Sequence, residues 1–78
     1  MMKYYGSPLC PDCVAATAAL DAKGTPYEWI EITASMPNLK AFLALRDSRE
    51  EFAQVRAEGR VGIPCFVTED GKILFEVE

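Results

Sequence analysis

The 78 residues carry 8 basic and 12 acidic side chains and no histidine, for a net charge of −4. A chain of this length holds one small domain, expected here to be residues 1–78, and its acidity repels phosphate backbones, which excludes nucleic acid as a natural partner. Half the residues are hydrophobic, yet no stretch approaches a membrane span, and Met1-Met2-Lys3-Tyr4-Tyr5 lacks the apolar core of a signal peptide, so the expected location is cytoplasmic.

In chain order, Lys3-Tyr4-Tyr5-Gly6 predicts a short aromatic strand. Ser7-Pro8-Leu9 breaks regular structure and leads into Cys10. Residues 11–23 predict an alanine-rich helix stopped by Gly24, with Cys13, Ala16, Thr17 and Leu20 on one face toward a sheet. Thr25-Pro26 predicts a turn and residues 27–32 a second strand. The helix between the strands makes them parallel, joined by a right-handed crossover. Met36-Pro37-Asn38 opens a second helix with Leu39, Phe42, Leu43 and Arg46 at helical spacing. Asp47-Ser48 predicts a bend, with Ser48 capping a further helix whose apolar side is Phe52, Val55 and the Arg56 stem. Gly59 ends that helix. Residues 65–68 predict a third strand, Asp70-Gly71 a two-residue hairpin turn, and residues 72–77 an antiparallel fourth strand. The order β-α-β-α-β-β is an α/β (α+β) sheet with helices packed against it.

In a reducing compartment, three cysteines point to redox or metal chemistry more than to a disulfide framework. Two of them form Cys10-Pro11-Asp12-Cys13. Cys10 falls at the N-cap and Pro11 at the first helical position, where proline gives up no hydrogen bond. The unpaired N–H groups of the first turn and the positive end of the helix dipole favour a thiolate at the cap, and the thiolate is the attacking species. Cys13, one turn in and more buried, is placed to resolve a mixed disulfide on Cys10. Asp12 supports the helix start, while its charge opposes a second anion beside it. The same spacing also serves metal sites, but zinc takes four ligands, and three cysteines without histidine leave the set to be completed by Asp12, a small molecule or a second chain.

Gly62-Ile63-Pro64 precedes the third strand. Pro64 is either a trans proline at a strand start or a cis proline that turns the Ile63 backbone toward an extended substrate beside Cys10. Cys65 is either a buried small hydrophobe or, if it points at Cys10, a third redox thiol or a metal ligand.

These residues resemble the glutaredoxins. Tyr4-Tyr5-Gly6 with the Cys10–Cys13 centre looks like the family's first strand and active-site loop, where Cys-Pro-Tyr-Cys is usual. Lys23-Gly24-Thr25-Pro26-Tyr27-Glu28 looks like the approach to the second strand, Gly62-Ile63-Pro64 stands where the family has Thr-Val-Pro with a cis proline, and Asp70-Gly71 falls at the last hairpin. The resemblance implies a thioredoxin-like fold with a four-stranded mixed sheet in the order 2-1-3-4. It implies a cis Pro64, Cys10 as nucleophile, Cys13 as resolving thiol, and Gly62, Ile63 and Pro64 as substrate-binding residues. It further implies reduction of protein or glutathione mixed disulfides, with glutathione or a reductase as electron source and no tightly bound cofactor. Some family members instead hold an iron–sulfur cluster between two subunits, which makes a carrier role through Cys10, Cys13 or Cys65 the alternative. Where the family has a basic residue three before the first cysteine, this chain has Ser7, and where it has tyrosine, Asp12. The family's last helix has no counterpart before Glu78, so a further expectation is an uncovered sheet face that is buried in a homodimer, or else a chain that is a shortened version of a longer protein.

Overall fold

The computed structural model describes residues 1–77. Strand β1, Met2–Gly6, is the centre of the architecture. Its side chains alternate, so Tyr4 and Tyr5 anchor opposite faces of the sheet. Helix α1, Pro11–Lys23, covers the Tyr4 face and ends at Gly24, whose N–H donates to the Asp21 carbonyl at 3.2 Å. The chain returns as β2, Tyr27–Glu31, parallel to β1 in the register Met2↔Tyr27 to Gly6↔Glu31. Helix α2, Met36–Ser48, then packs on the Tyr5 face; its cap Ser35 accepts the Asn38 N–H at 3.2 Å. A 3₁₀ turn, Glu50–Phe52, runs directly into the short α3, Ala53–Ala57. Strand β3, Cys65–Val67, lies antiparallel to β1, and β4, Ile73–Leu74, antiparallel to β3. The sheet order is β2-β1-β3-β4, as expected.

Two apolar clusters follow from the alternation. On the α1 face Tyr4, Ala16, Leu20 and Phe66 pack together. On the α2 face Tyr5, Ile32, Phe42, Phe52, Val55, Cys65 and Ile73 form the larger core. Phe52 is its hub: fully buried, it meets the rings of Phe42 at 5.8 Å and Phe75 at 5.1 Å, both edge to face.

Five expectations change. The third strand stops at Val67, because Thr68 belongs to the hairpin closure with Lys72. The second strand stops at Glu31, although Ile32 stays buried and its N–H still donates to the Gly6 carbonyl at 2.9 Å. The fourth strand has only Ile73 and Leu74, because Phe75 leaves the ladder to reach Phe52. The hairpin has three loop residues, not two. Gly71 N–H closes a turn on the Thr68 carbonyl at 2.9 Å, Thr68 N–H pairs with the Lys72 carbonyl at 2.9 Å, and Gly71 itself has φ 87°, the turn-plus-bulge form of a three-residue loop. Ser48 caps nothing: it is the last residue of α2, and its hydroxyl donates back to the Ala44 carbonyl at 2.6 Å.

Arg56 also does more than shield apolar surface with its stem. It is exposed, and its guanidinium donates to the carbonyls of Arg46 at 2.6 Å and Arg49 at 2.9 Å, closing the corner between α2 and α3. Arg49 in turn donates to the Gly71 carbonyl at 3.1 Å, tying that corner to the hairpin. The expectation of a missing last helix concerns positions from Glu78 onward, outside the described residues.

Truncating Phe52 to alanine removes the hub of the larger core. The expected loss is about 3–5 kcal/mol of unfolding free energy, read from urea denaturation against the parent chain. A change below about 1 kcal/mol would mean that Phe75 and Phe42 close the gap unaided.

Candidate active site

At the end of β1, residues 7–10 lift the chain out of the sheet and into α1. Cys10 is the N-cap residue, with φ −100° and ψ 119°, and Pro11 occupies the start of the helix as expected. Cys10 N–H donates to the Ser7 carbonyl at 3.2 Å, and its own carbonyl accepts the Val14 N–H at 3.1 Å. Its sulfur makes no capping hydrogen bond, which corrects the expectation that the thiol turns onto the first-turn N–H groups. The sulfur sits at the positive end of the helix with the Cys13 thiol, rather than a backbone N–H, as its neighbour. Cys10 is half-buried, whereas Cys13 is 1% exposed.

Cys13 is seated against β1 by a missing side chain. A methyl on Gly6 would come within 3.1 Å of the Cys13 sulfur and 3.0 Å of both the Trp29 and Tyr4 rings. Glycine at this place lets the sulfur and the indole close over the strand. Tyr4, completely buried, donates its hydroxyl to the Cys13 carbonyl at 2.7 Å and lies 3.1 Å from the Thr17 hydroxyl. The Tyr4 proton is committed to that carbonyl, so Thr17 donates to Tyr4. Rings of Tyr27, Trp29 and Phe66 surround Tyr4 at 5.4, 4.8 and 4.7 Å. Burial pushes the Tyr4 phenol up to about 12, so it holds its proton throughout the physiological range.

Burial likewise pushes the Cys13 thiol up to about 11. The Ser7 backbone N–H and the Tyr4 hydroxyl work against that rise, and the neighbouring Cys10 side chain adds to it. Ser7 is buried and organises the loop. Its hydroxyl accepts the Leu9 N–H at 3.2 Å and lies 2.9 Å from the Thr33 hydroxyl, which donates to Glu31 at 3.3 Å. Thr33 thus spends its proton on Glu31, leaving Ser7 to donate to Thr33. The chain of bonds fastens the thiol-bearing loop to the end of β2. Sequence reading noted Ser7 as part of the break before Cys10 and for lacking charge; a small hydroxyl between a strand and a thiol-bearing loop is the signal that reveals this role.

The Ile63–Pro64 peptide is cis, as the resemblance implied, and Gly62 has φ 101°. A methyl at Gly62 would lie 3.1 Å from both Phe52 and Val55, so glycine is required by backbone conformation and by space together. Gly62, Ile63 and Pro64 border a groove of about 720 Å³ that begins at Asp12. Among the described residues, Gly62 and Ile63 take no backbone hydrogen-bond partner. A second, apolar cavity of about 430 Å³ opens over Cys13 between Val14, Tyr27 and Trp29.

Cys65 is not brought to the pair. It sits opposite Tyr5 in the β1–β3 register and within the α2-side core, whereas Cys13 lies on the Tyr4 side. The sheet therefore stands between them, and the structure favours the buried-hydrophobe reading of Cys65. Burial pushes its thiol up to about 12, with Arg49 opposing and Glu51 adding to the rise. Among the described residues no three cysteine, aspartate or glutamate side chains gather into a metal-holding group, so Cys10, Cys13 and Cys65 do not form a joint ligand set. No helix among them is long and apolar enough to cross a membrane.

A sequence model described as glutaredoxin matches residues 2–73. An uncharacterized protein of Haemophilus influenzae is 41% identical over 68 residues, which span 87% of this chain and 79% of that one. No solved structure matches. The mixed 2-1-3-4 sheet with its helices is a thioredoxin-like arrangement, and the sequence match covers nearly all of it. The chain belongs to the glutaredoxin family.

Proposed function

We propose that the protein is a thiol–disulfide oxidoreductase that reduces disulfides through Cys10, with Cys13 as resolving thiol. The observation that carries the reading is the pairing of a half-exposed, uncapped thiol at the start of α1 with a buried thiol one turn below it.

The Cys10 thiolate attacks one sulfur of the substrate disulfide. A Cys10–substrate disulfide forms, the substrate S–S bond breaks, and the departing thiolate takes a proton. Cys13 then attacks the Cys10 sulfur, the second substrate thiol leaves, and the protein ends two electrons oxidised as a Cys10–Cys13 disulfide. Burial keeps Cys13 protonated in the resting state, so it does not compete as first nucleophile. The part of its raised pKa that comes from Cys10 falls away once Cys10 is bonded to substrate. Ionisation of Cys13 thus becomes easier at the step that uses it. Asp12 at the first turn moderates the stabilisation of the attacking anion. The unpartnered backbone at Gly62 and Ile63, held beside Pro64, supports docking of an extended substrate segment. The substrate is a disulfide of a protein or of a low-molecular-weight thiol such as glutathione, and reducing equivalents return from glutathione or a thioredoxin-type reductase.

Two outcomes are expected. At about pH 8, a chloroacetamide probe labels one thiol per chain, and Cys10→Ser abolishes it. Cys13 and Cys65, with pKa values raised to about 11 and about 12, stay as unreactive thiols until the pH climbs toward those values. Equal labelling of all three, read by mass spectrometry, would contradict the assignment of Cys10.

The second readout is optical. Trp29 is the single tryptophan and stands with the Cys13 sulfur over Gly6. Oxidation to the Cys10–Cys13 disulfide quenches its emission, and reduction restores it. Emission that ignores redox state, or that still responds in Cys13→Ser, rules out a disulfide at this pair.

A further inference from the structure

The groove that reaches from the cis Pro64 segment to Asp12, the residue before Cys13, carries an uneven charge. Asp12, Glu51, Arg60 and Glu76 are the charged side chains that line it. Two of them are compensated from outside: Arg60 donates to Glu58 at 2.6 Å, and Glu51 accepts from Arg49 at 2.8 Å. Asp12 and Glu76 have no ion-pair partner among the described residues. Asp12 stands two residues from Cys10, and Glu76 faces the same space from beyond β4. Ser7, on the other side of the loop, is buried and brings no positive charge. The exposed neighbours of the redox segments are apolar: Leu9 precedes Cys10 at 81% exposure, and Val61 precedes Gly62 at 55%.

A body that reaches Cys10 while resting in this groove, whose Asp12 end is two residues away, therefore meets two unpaired carboxylates, apolar side chains and free backbone groups. Charges in an open groove act over roughly 10 Å at 0.1 M salt, enough to bias which disulfide arrives. Glutathione disulfide, with two carboxylates against one ammonium in each half, is repelled. A peptide segment with basic residues beside its cysteine is attracted, and its backbone fits the unpartnered groups of Gly62 and Ile63.

We infer that the groove from Asp12 to Glu76 selects disulfides borne on basic peptide segments and disfavours anionic ones such as glutathione disulfide. The inference rests on the redox role of Cys10 and names the substrate class of that site. The exchange is the one already written: the peptide disulfide is reduced to two thiols as Cys10 and Cys13 are oxidised.

The test is single-turnover oxidation of the pre-reduced full chain by symmetrical peptide disulfides. Three pentapeptides carry a central cysteine flanked by lysine, serine or glutamate, and glutathione disulfide is the fourth substrate. Release of peptide thiol is followed, and each rate is divided by the rate of the same disulfide with dithiothreitol, which removes intrinsic reactivity. The lysine peptide is expected to exceed the glutamate peptide by about tenfold at low ionic strength. The two converge at about 1 M salt, where screening acts within roughly 3 Å. Glu76→Gln shrinks the low-salt ratio, whereas Glu69→Gln, on the hairpin loop at the far end of the sheet, leaves it in place. Equal normalised rates for the lysine and glutamate peptides, or glutathione disulfide as the fastest of the four, would overturn the inference. Reaction with none of the four defeats the oxidoreductase reading itself, and the charge selection with it.

Discussion

The hydroxyl of Tyr4, bonded to the carbonyl of Cys13, joins the central strand to the first turn of α1. Every other feature of the site is referred to that contact. Tyr4 is wholly buried in a ring of aromatic neighbours, and it gives its proton to the backbone of the inner cysteine, with the Thr17 hydroxyl donating in return. With the helix start fixed on the strand, the absence of a side chain at Gly6 lets the Cys13 sulfur lie flat on the sheet. The cap residue above it keeps its thiol off the first-turn N–H groups and beside Cys13. The loop between strand and helix is held from its other side by Ser7, through Thr33 to Glu31 at the end of β2. A strand, a helix and an edge strand thus converge on four residues of loop.

Alternation along one strand sorts the three thiols. Tyr4 and Tyr5 are adjacent and point to opposite faces, and each recruits a cysteine to its own side. Cys13 joins the face where a second thiol is one helical turn away. Cys65, paired across the sheet with Tyr5, joins the face filled by Phe42 and Phe52. Both are buried, and burial raises both pKa values, yet only one has a sulfur partner within reach. The geometry of the sheet, not the burial of the residues, separates a thiol with a sulfur neighbour from one that only packs.

Most of this was legible from residue order. The helix over 11–23 could be read from its proline start and glycine stop, the parallel pairing from the crossover, and the thiol pair from its place at a helix start after a strand. Pro64 was assigned cis by resemblance, since composition alone leaves both isomers open. What could not be read was tertiary. Phe75 looked like another strand residue until its packing on Phe52 drew it off the ladder. Ser48 looked like a cap, but its hydroxyl had a nearer acceptor one turn back. Asp70-Gly71 suggested the tightest turn, whereas Thr68 closes the loop with both its backbone and its hydroxyl. Ser7 carried its meaning in a partner 26 residues away.

The departure of Phe75 also shortens an edge of the sheet. An open sheet offers its outermost strands to any other unpaired strand, and long apolar edges invite fibrils. Here one border is β4, which is only two residues long before the chain turns inward. The other is β2, where exposed Glu28 and half-buried Glu31 interrupt the aromatic and aliphatic residues. A side chain recruited to finish the core thereby shortens one border of the sheet, leaving few unpaired backbone groups there on which another strand could build.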